Sequence, residues 1–197
     1  MKRALIALAG MLSLGLVACT PAPTPPRFQA TDITGAPFAH DFRLTDHTGQ
    51  MRTLADFKGK AVAVFFGYTH CPDVCPTTLA DFAAALKMLG PLGDRVQVVF
   101  VTVDPERDTP EVLRQFVPAF DPHFLGMYTD AASLRLLAKD YKIVYQKTAQ
   151  KNPGDYLIDH SAGTYIYDPN GNLRLLMPYG SKPEAIAQDL KALLESP

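Results

Sequence analysis

Residues 61–78 read AVAVFFGYTHCPDVCPTT, and this stretch constrains the fold more than any other. The run AVAVFF is unbroken and apolar, the pattern of a strand covered on both faces. Gly67 ends it. Leu79, Phe82, Ala83, Leu86 and Leu89 then recur at helical spacing and form one apolar face. Pro76 suits the first helical position, where its missing N–H costs nothing. Cys75 is thereby read as the N-cap, because a residue before proline is biased away from the helical conformation. The segment 71–75 becomes a loop over a helix N-terminus. The positive end of the helix dipole favours thiolate over thiol there. Thiolate is the form that binds metal or attacks a disulfide.

The rest of the chain supplies partners for this strand and helix. Residues 96–103, VQVVFVTV, read as a second buried strand, so strand, helix and strand make a βαβ unit with parallel strands. A charged loop, DPERDTP, follows at 104–110. Thr109 can cap and Pro110 can start a helix carrying Leu113, Phe116 and Val117 inward. Residues 124–128 read as a short strand, and Asp130 caps a helix with Leu134, Leu137, Ala138 and Tyr141 on its buried side. Residues 146–155 are polar, contain Asn152-Pro153-Gly154, and read as a surface loop. Residues 163–167 and 173–177 are strands joined by the turn sequence DPNG. Ser181 and Glu184 suggest a capping box before a last helix that buries Ile186, Leu190, Leu193 and Leu194. Residues 42–54 read as a hairpin around DHTG. This order predicts an α/β, thioredoxin-like fold. It has a central mixed sheet, an N-terminal hairpin extension and an insertion before the C-terminal hairpin.

The N-terminus stands apart from that domain. Lys2 and Arg3 precede an apolar, glycine-interrupted stretch that ends in Leu16-Val17-Ala18-Cys19. It reads as a lipoprotein signal peptide over residues 1–18, with Cys19 lipidated as the mature N-terminus. Residues 19–37 follow as a lipidated cysteine and a Pro-rich tether, and residues 38–197 as the folded domain. The chain is therefore expected to be exported and lipid-anchored to a bacterial membrane, facing the periplasm or extracytoplasmic space. A formal charge of −1 with no basic patch argues against nucleic-acid binding.

Three cysteines are present, and a lipid on Cys19 leaves Cys71 and Cys75 as a pair. An exported chain allows a disulfide to persist. A loop this short constrains the unfolded chain little, so a structural disulfide is the weaker reading. Redox chemistry and metal binding remain. In the inferred fold, the loop before the C-terminal hairpin lies beside the helix that follows the cysteines, and His160 occupies that loop. Two soft thiolates and an imidazole suit Cu(I) and can also hold Cu(II). A structural zinc site would want a fourth protein ligand, and none is evident.

Together FFGYTHCPDVCPTTL, VDPERDTP and DYLIDHSAGTYIYDPNG resemble the Sco/SenC family of copper chaperones. The resemblance implies copper ligation by Cys71, Cys75 and His160. It further implies a role in assembling the dinuclear copper centre of cytochrome c oxidase subunit II, by delivering copper, by reducing that subunit's cysteines, or both. A periplasmic copper donor and a thiol reductant would then be further partners. Many members carry a transmembrane anchor, where this chain has a lipobox-like sequence.

Other residues have competing readings. Asp159, beside the candidate ligand, could support the metal from behind or bond its own turn. Asp104 lies at the end of the second parallel strand, where ligand sites in such sheets gather, and loop capping explains it equally well. His70 adjoins Cys71 but does not match the family position. His40, His47 and His123 sit among polar residues and read as solvated. Tyr68, Tyr156, Tyr165 and Tyr167 could screen a metal or simply pack in the core. The rival function is a thiol-disulfide oxidoreductase, with Cys71 and Cys75 redox-active and Cys71 the attacking thiol. A redox or copper sensor is a third reading.

Overall fold

The computed structural model describes residues 27–152 and 154–195. Residues 1–26, where the signal peptide, the lipidated Cys19 and the start of the tether are expected, lie outside the described residues.

Among the described residues, ten strands and four α-helices follow one another. The strands are β1 (Thr31–Asp32), β2 (Leu44–Asp46), β3 (Met51–Arg52), β4 (Ala61–Gly67), β5 (Val96–Thr102), β6 (Leu125–Tyr128), β7 (Tyr145–Ala149), β8 (Tyr156–His160), β9 (Thr164–Tyr167) and β10 (Leu173–Met177). The helices are α1 (Val74–Leu89), α2 (Pro110–Phe116), α3 (Ala131–Asp140) and α4 (Pro183–Glu195). Eight strands make one sheet in the order β1-β10-β9-β4-β5-β6-β2-β3. β4, β5 and β6 run parallel, as the βαβ reading requires, and β9 runs antiparallel to β4. The result is the thioredoxin-like mixed sheet.

β4 and β5 lie at its centre, and every residue of both is buried. That explains their unbroken apolar sequences, because neither face meets water. α1 and α4 pack on each other beside β4. α2 packs on β6 where Gly126 leaves room for Leu113 and Val117. The predicted starts of two helices are present. Thr109 accepts from the Val112 amide at the head of α2, and Asp130 accepts from the Ala132 and Ser133 amides at the head of α3.

Several local expectations give way. The segment 146–155 is not simply a surface loop. Residues up to Ala149 form β7, which pairs antiparallel with β8 in a separate two-stranded ribbon. The ribbon's β7 strand is largely exposed, so it needs no alternating apolar pattern and left no signal in sequence. His160 is consequently the last residue of a strand and not part of a loop. The N-terminal hairpin β2–β3 joins the main sheet through β6. Residues 27–37, which show no period, carry β1 on the opposite edge. The Gln29 and Ala30 amides donate to the buried Asp189 carboxylate of α4 at 2.8 and 2.7 Å, which ties this segment down. Ser181 does not cap α4; its hydroxyl donates to the Pro178 carbonyl. His47 is buried, and its Nδ1 accepts from the Gly126 amide at 3.0 Å, so it is a core histidine rather than a solvated one.

Candidate metal centre

The site forms where β4 ends and α1 begins. α1 starts at Val74, so its N-cap is Asp73 and Cys75 is the second helical residue. Cys75 therefore takes the helical conformation despite preceding Pro76. A proline is tolerated in the first turn because no amide there has a helical partner. No side-chain cap from Asp73 is made. Instead the Cys75 amide donates to the Cys71 sulfur at 3.5 Å. Cys71 thus serves as a sulfur acceptor over the open end of the helix.

The two thiols are free and unlike. Cys75 is fully buried, and Cys71 is half-buried. The Cys71 thiol is pulled down to about 5, first by a hydrogen bond from the Cys75 thiol, with the Asp73 and Cys75 amides and His160 adding to it. The Cys75 thiol is pushed up, because it donates to Cys71 and because it is buried. The pair shares one proton in effect: Cys71 holds the charge and Cys75 holds the hydrogen.

Gly67 makes this possible. A Cβ on Gly67 would stand 2.7 Å from the Cys75 sulfur and 2.8 Å from the Phe100 ring. Only a residue without a side chain lets the sulfur approach the end of β4.

β8 brings the imidazole. His160 Nε2 lies 3.4 Å from the Cys75 sulfur, and its Nδ1 lies 3.0 Å from the Ser161 carbonyl. A carbonyl only accepts, so Nδ1 carries a proton there, and Nε2 is the ring nitrogen that faces the sulfurs. Phe65 and Tyr68 meet the ring edge-on with centroids 6.1 and 5.8 Å away. Tyr68 also accepts the Ile158 amide at 3.2 Å through its hydroxyl. Both sulfurs and one imidazole nitrogen lie within 4.8 Å of one another. Two soft sulfurs and a nitrogen at that spacing fit a cuprous ion.

Asp104 and Asp159 lie outside this trio. Asp104 is buried, bonds the Arg107 guanidinium and accepts from the Tyr156 hydroxyl at 2.8 Å. Asp159 is exposed and accepts from the Thr148 hydroxyl at 2.9 Å, across the ribbon. His70 is exposed, contacts the Thr69 hydroxyl and stays out of the trio, whereas Tyr165 and Tyr167 belong to a buried hydroxyl network with Tyr141. Sequence reasoning missed Asp108. It is buried and accepts from the Thr69 amide (3.0 Å), the Thr69 hydroxyl (2.6 Å) and the Thr102 hydroxyl (2.6 Å). Those bonds fix the loop that leads to Cys71. Its signal was an acid inside the DPERDTP segment, next to a helix cap that accounted for the neighbouring residues.

Fold and trio define a thioredoxin-like protein with two cysteines and a histidine, a group that could hold a metal ion, gathered at its first helix. The chain belongs to the SCO1/SenC family, whose model matches residues 30–195. Mitochondrial SCO2 homolog from Bos taurus is 37% identical over 150 residues, covering 75% of this chain and 55% of that protein. The match thus spans about half the length of that relative. A structure of Bradyrhizobium japonicum ScoI with copper bound is 40% identical, covers 78% of this chain and 97% of that one, and has a TM-score of 0.71. A SCO1/SenC family lipoprotein from Bacillus anthracis is 25% identical, covers 86% and 100%, and has a TM-score of 0.71.

Proposed function

We propose that this chain is a copper metallochaperone in which Cys71, Cys75 and His160 hold the cargo, as Cu(I) and also as Cu(II). Its recipient is the dinuclear copper site of cytochrome c oxidase subunit II, to which it delivers copper or whose cysteines it reduces. The observation that carries this reading is the approach of the His160 Nε2 to within 3.4 Å of the Cys75 sulfur. A thiol reductase needs no such imidazole, whereas a three-ligand cuprous site does. The copper-bound Bradyrhizobium japonicum relative supports the choice of metal. In this reading the sequence N-terminal to the domain is a signal peptide of residues 1–18 followed by a lipidated Cys19 and a tether. It holds the domain on the outer side of a bacterial membrane, where a copper donor and a thiol reductant reach it. The lipoprotein relative from Bacillus anthracis supports that anchor.

The asymmetry of the thiols favours a second activity at the same place. The Cys71 thiolate can attack a partner disulfide and form a mixed disulfide, releasing one partner thiolate that takes up a proton. Cys75 then loses its proton and attacks the Cys71 sulfur. The partner leaves as a dithiol, and Cys71–Cys75 becomes the disulfide. An external thiol reductant restores the pair. Oxidation removes both thiolate ligands, so the two activities alternate and do not coincide.

The test is an anaerobic Cu(I) titration of the reduced full chain in detergent against a competing chelator, with His160→Ala alongside. One tight equivalent, weakened in the variant, is the expected result. Wild-type affinity in His160→Ala would overturn the three-ligand assignment. A folded, reduced chain that binds no copper would leave the reductase.

A further inference from the structure

The ribbon that carries His160 is not hydrogen-bonded into the main sheet. Among the described residues, four side-chain ties besides the Cys75–His160 contact hold it to the body. The Arg107 Nη1 donates to the Tyr156 carbonyl at 3.0 Å, and its guanidinium lies 3.6 Å over the Tyr156 ring. The Tyr156 hydroxyl donates to Asp104 at 2.8 Å. Lys147 pairs with Glu106 at 2.6 Å. The Tyr68 hydroxyl receives the Ile158 amide. Three of these four ties reach back to residues 104–107, the turn after β5. Within that turn, Asp104 also bonds the Arg107 Nε, so one buried carboxylate aims both the guanidinium and the phenol.

We propose that Arg107, aimed by Asp104, is a positioning residue that latches the ribbon and so sets how closely His160 approaches the two sulfurs. The proposal rests on the copper reading for its consequence at the metal but not for the latch itself. The bonds and ring contacts of Arg107 go to Asp104, Tyr156 and Tyr68. Among the described residues its buried Nη2 has no hydrogen-bond partner, and its guanidinium lies against the Tyr156 ring with the Tyr68 ring 5.8 Å away. A planar guanidinium can bond a carboxylate and a carbonyl while lying flat on an aromatic ring, and a lysine cannot do all three. Groups that orient a metal ligand from behind typically change metal affinity by about 10–100-fold when removed.

The test uses the reduced full chain and two readouts. The first is amide hydrogen exchange without metal. Arg107→Gln should speed exchange at residues 156–160 while β4 and β5 stay protected. Unchanged exchange in the ribbon would overturn the latch whatever the chain binds. The second is competitive Cu(I) titration in a double-mutant cycle with His160→Ala. Arg107→Gln should weaken binding about tenfold in the wild-type background and not at all in His160→Ala. An equal loss in both backgrounds, or no loss in either, would overturn the proposal. A wild-type chain that binds no Cu(I) would overturn the copper reading, and the exchange result would still decide the latch. Should Arg107→Gln fail to fold, Tyr156→Phe removes only the bond to Asp104. It should give a smaller change of the same sign in both readouts, and no change would overturn the proposal.

Discussion

The Nε2 of His160 and the sulfur of Cys75 lie 3.4 Å apart across 85 positions of sequence. One belongs to the first turn of α1 and the other to the end of a ribbon outside the main sheet. The pairing exists because Ile158, two residues before His160, is buried and tied to Tyr68, two residues after the apolar run of β4.

Cys71 should be the reactive thiol at low pH. In the folded chain its proton leaves at about 5, against about 8.5 for an ordinary thiol. Iodoacetamide should modify Cys71 with a half-maximal rate near pH 5 and a plateau above it, while buried Cys75 reacts only after unfolding. Peptide mass spectrometry across a pH series reads both sites. The sign for stability follows from the same shift. Between those pH values the unfolded chain holds a proton that the folded chain does not, so this group's contribution grows as pH rises and is lost as pH falls toward 5. Cys75, shifted upward, acts oppositely above the ordinary thiol range.

Gly67→Ala should damage the site more than the fold. Its Cβ would press within 2.7 Å of the Cys75 sulfur and 2.8 Å of the Phe100 ring. Overpacking of this kind costs about 1–3 kcal/mol. Urea unfolding should show that loss, and Cu(I) competition should show weaker binding as the sulfur is displaced.

Asp108→Ala should cost about 3 kcal/mol, because it strands the Thr69 amide and two hydroxyls around a buried site. Asp108→Asn should cost much less. Its carbonyl can take the Thr69 amide, and its NH2 can donate to a hydroxyl that turns round. Urea midpoints of the two variants distinguish a hydrogen-bonding role from a need for charge.

Oxidation of the pair should abolish copper binding reversibly. A Cys71–Cys75 disulfide has no thiolate to offer, so stoichiometric Cu(I) uptake should vanish after diamide treatment and return with reductant. Retained uptake by a fully oxidised protein, checked by thiol counting, would contradict ligation by both sulfurs.

The sequence disclosed the parts of this structure whose signal is local. AVAVFF and VQVVFVTV could only be central strands, and Thr109 and Asp130 announced their helices by chemistry contained in a few residues. The cysteine loop was visible for the same reason, although the helix began one residue before Cys75. His160 was reached through an inferred fold, since no spacing connects it to the cysteines. The exposed strand β7 was read as a loop because a two-stranded ribbon facing water demands no apolar period. Asp104 and Asp108 illustrate the remaining limit. Both are buried acids within five residues, but one serves Arg107 and the other Thr69, and that division depends on where β8 and the β4–α1 loop come to rest.

The main sheet ends on both sides in strands of two residues, β1 and β3. β1 covers Leu175 and Leu176 of β10, and the Ile33 amide adds a bond to Arg174. β3 covers β2 with exposed Met51 and half-buried Arg52. Neither rim offers another molecule the long, flat row of open amides and carbonyls on which strands add. The central strands have the apolar, uncharged, β-branched and aromatic composition that favours fibre formation when exposed, and short, polar-flanked selvedges keep them from being copied.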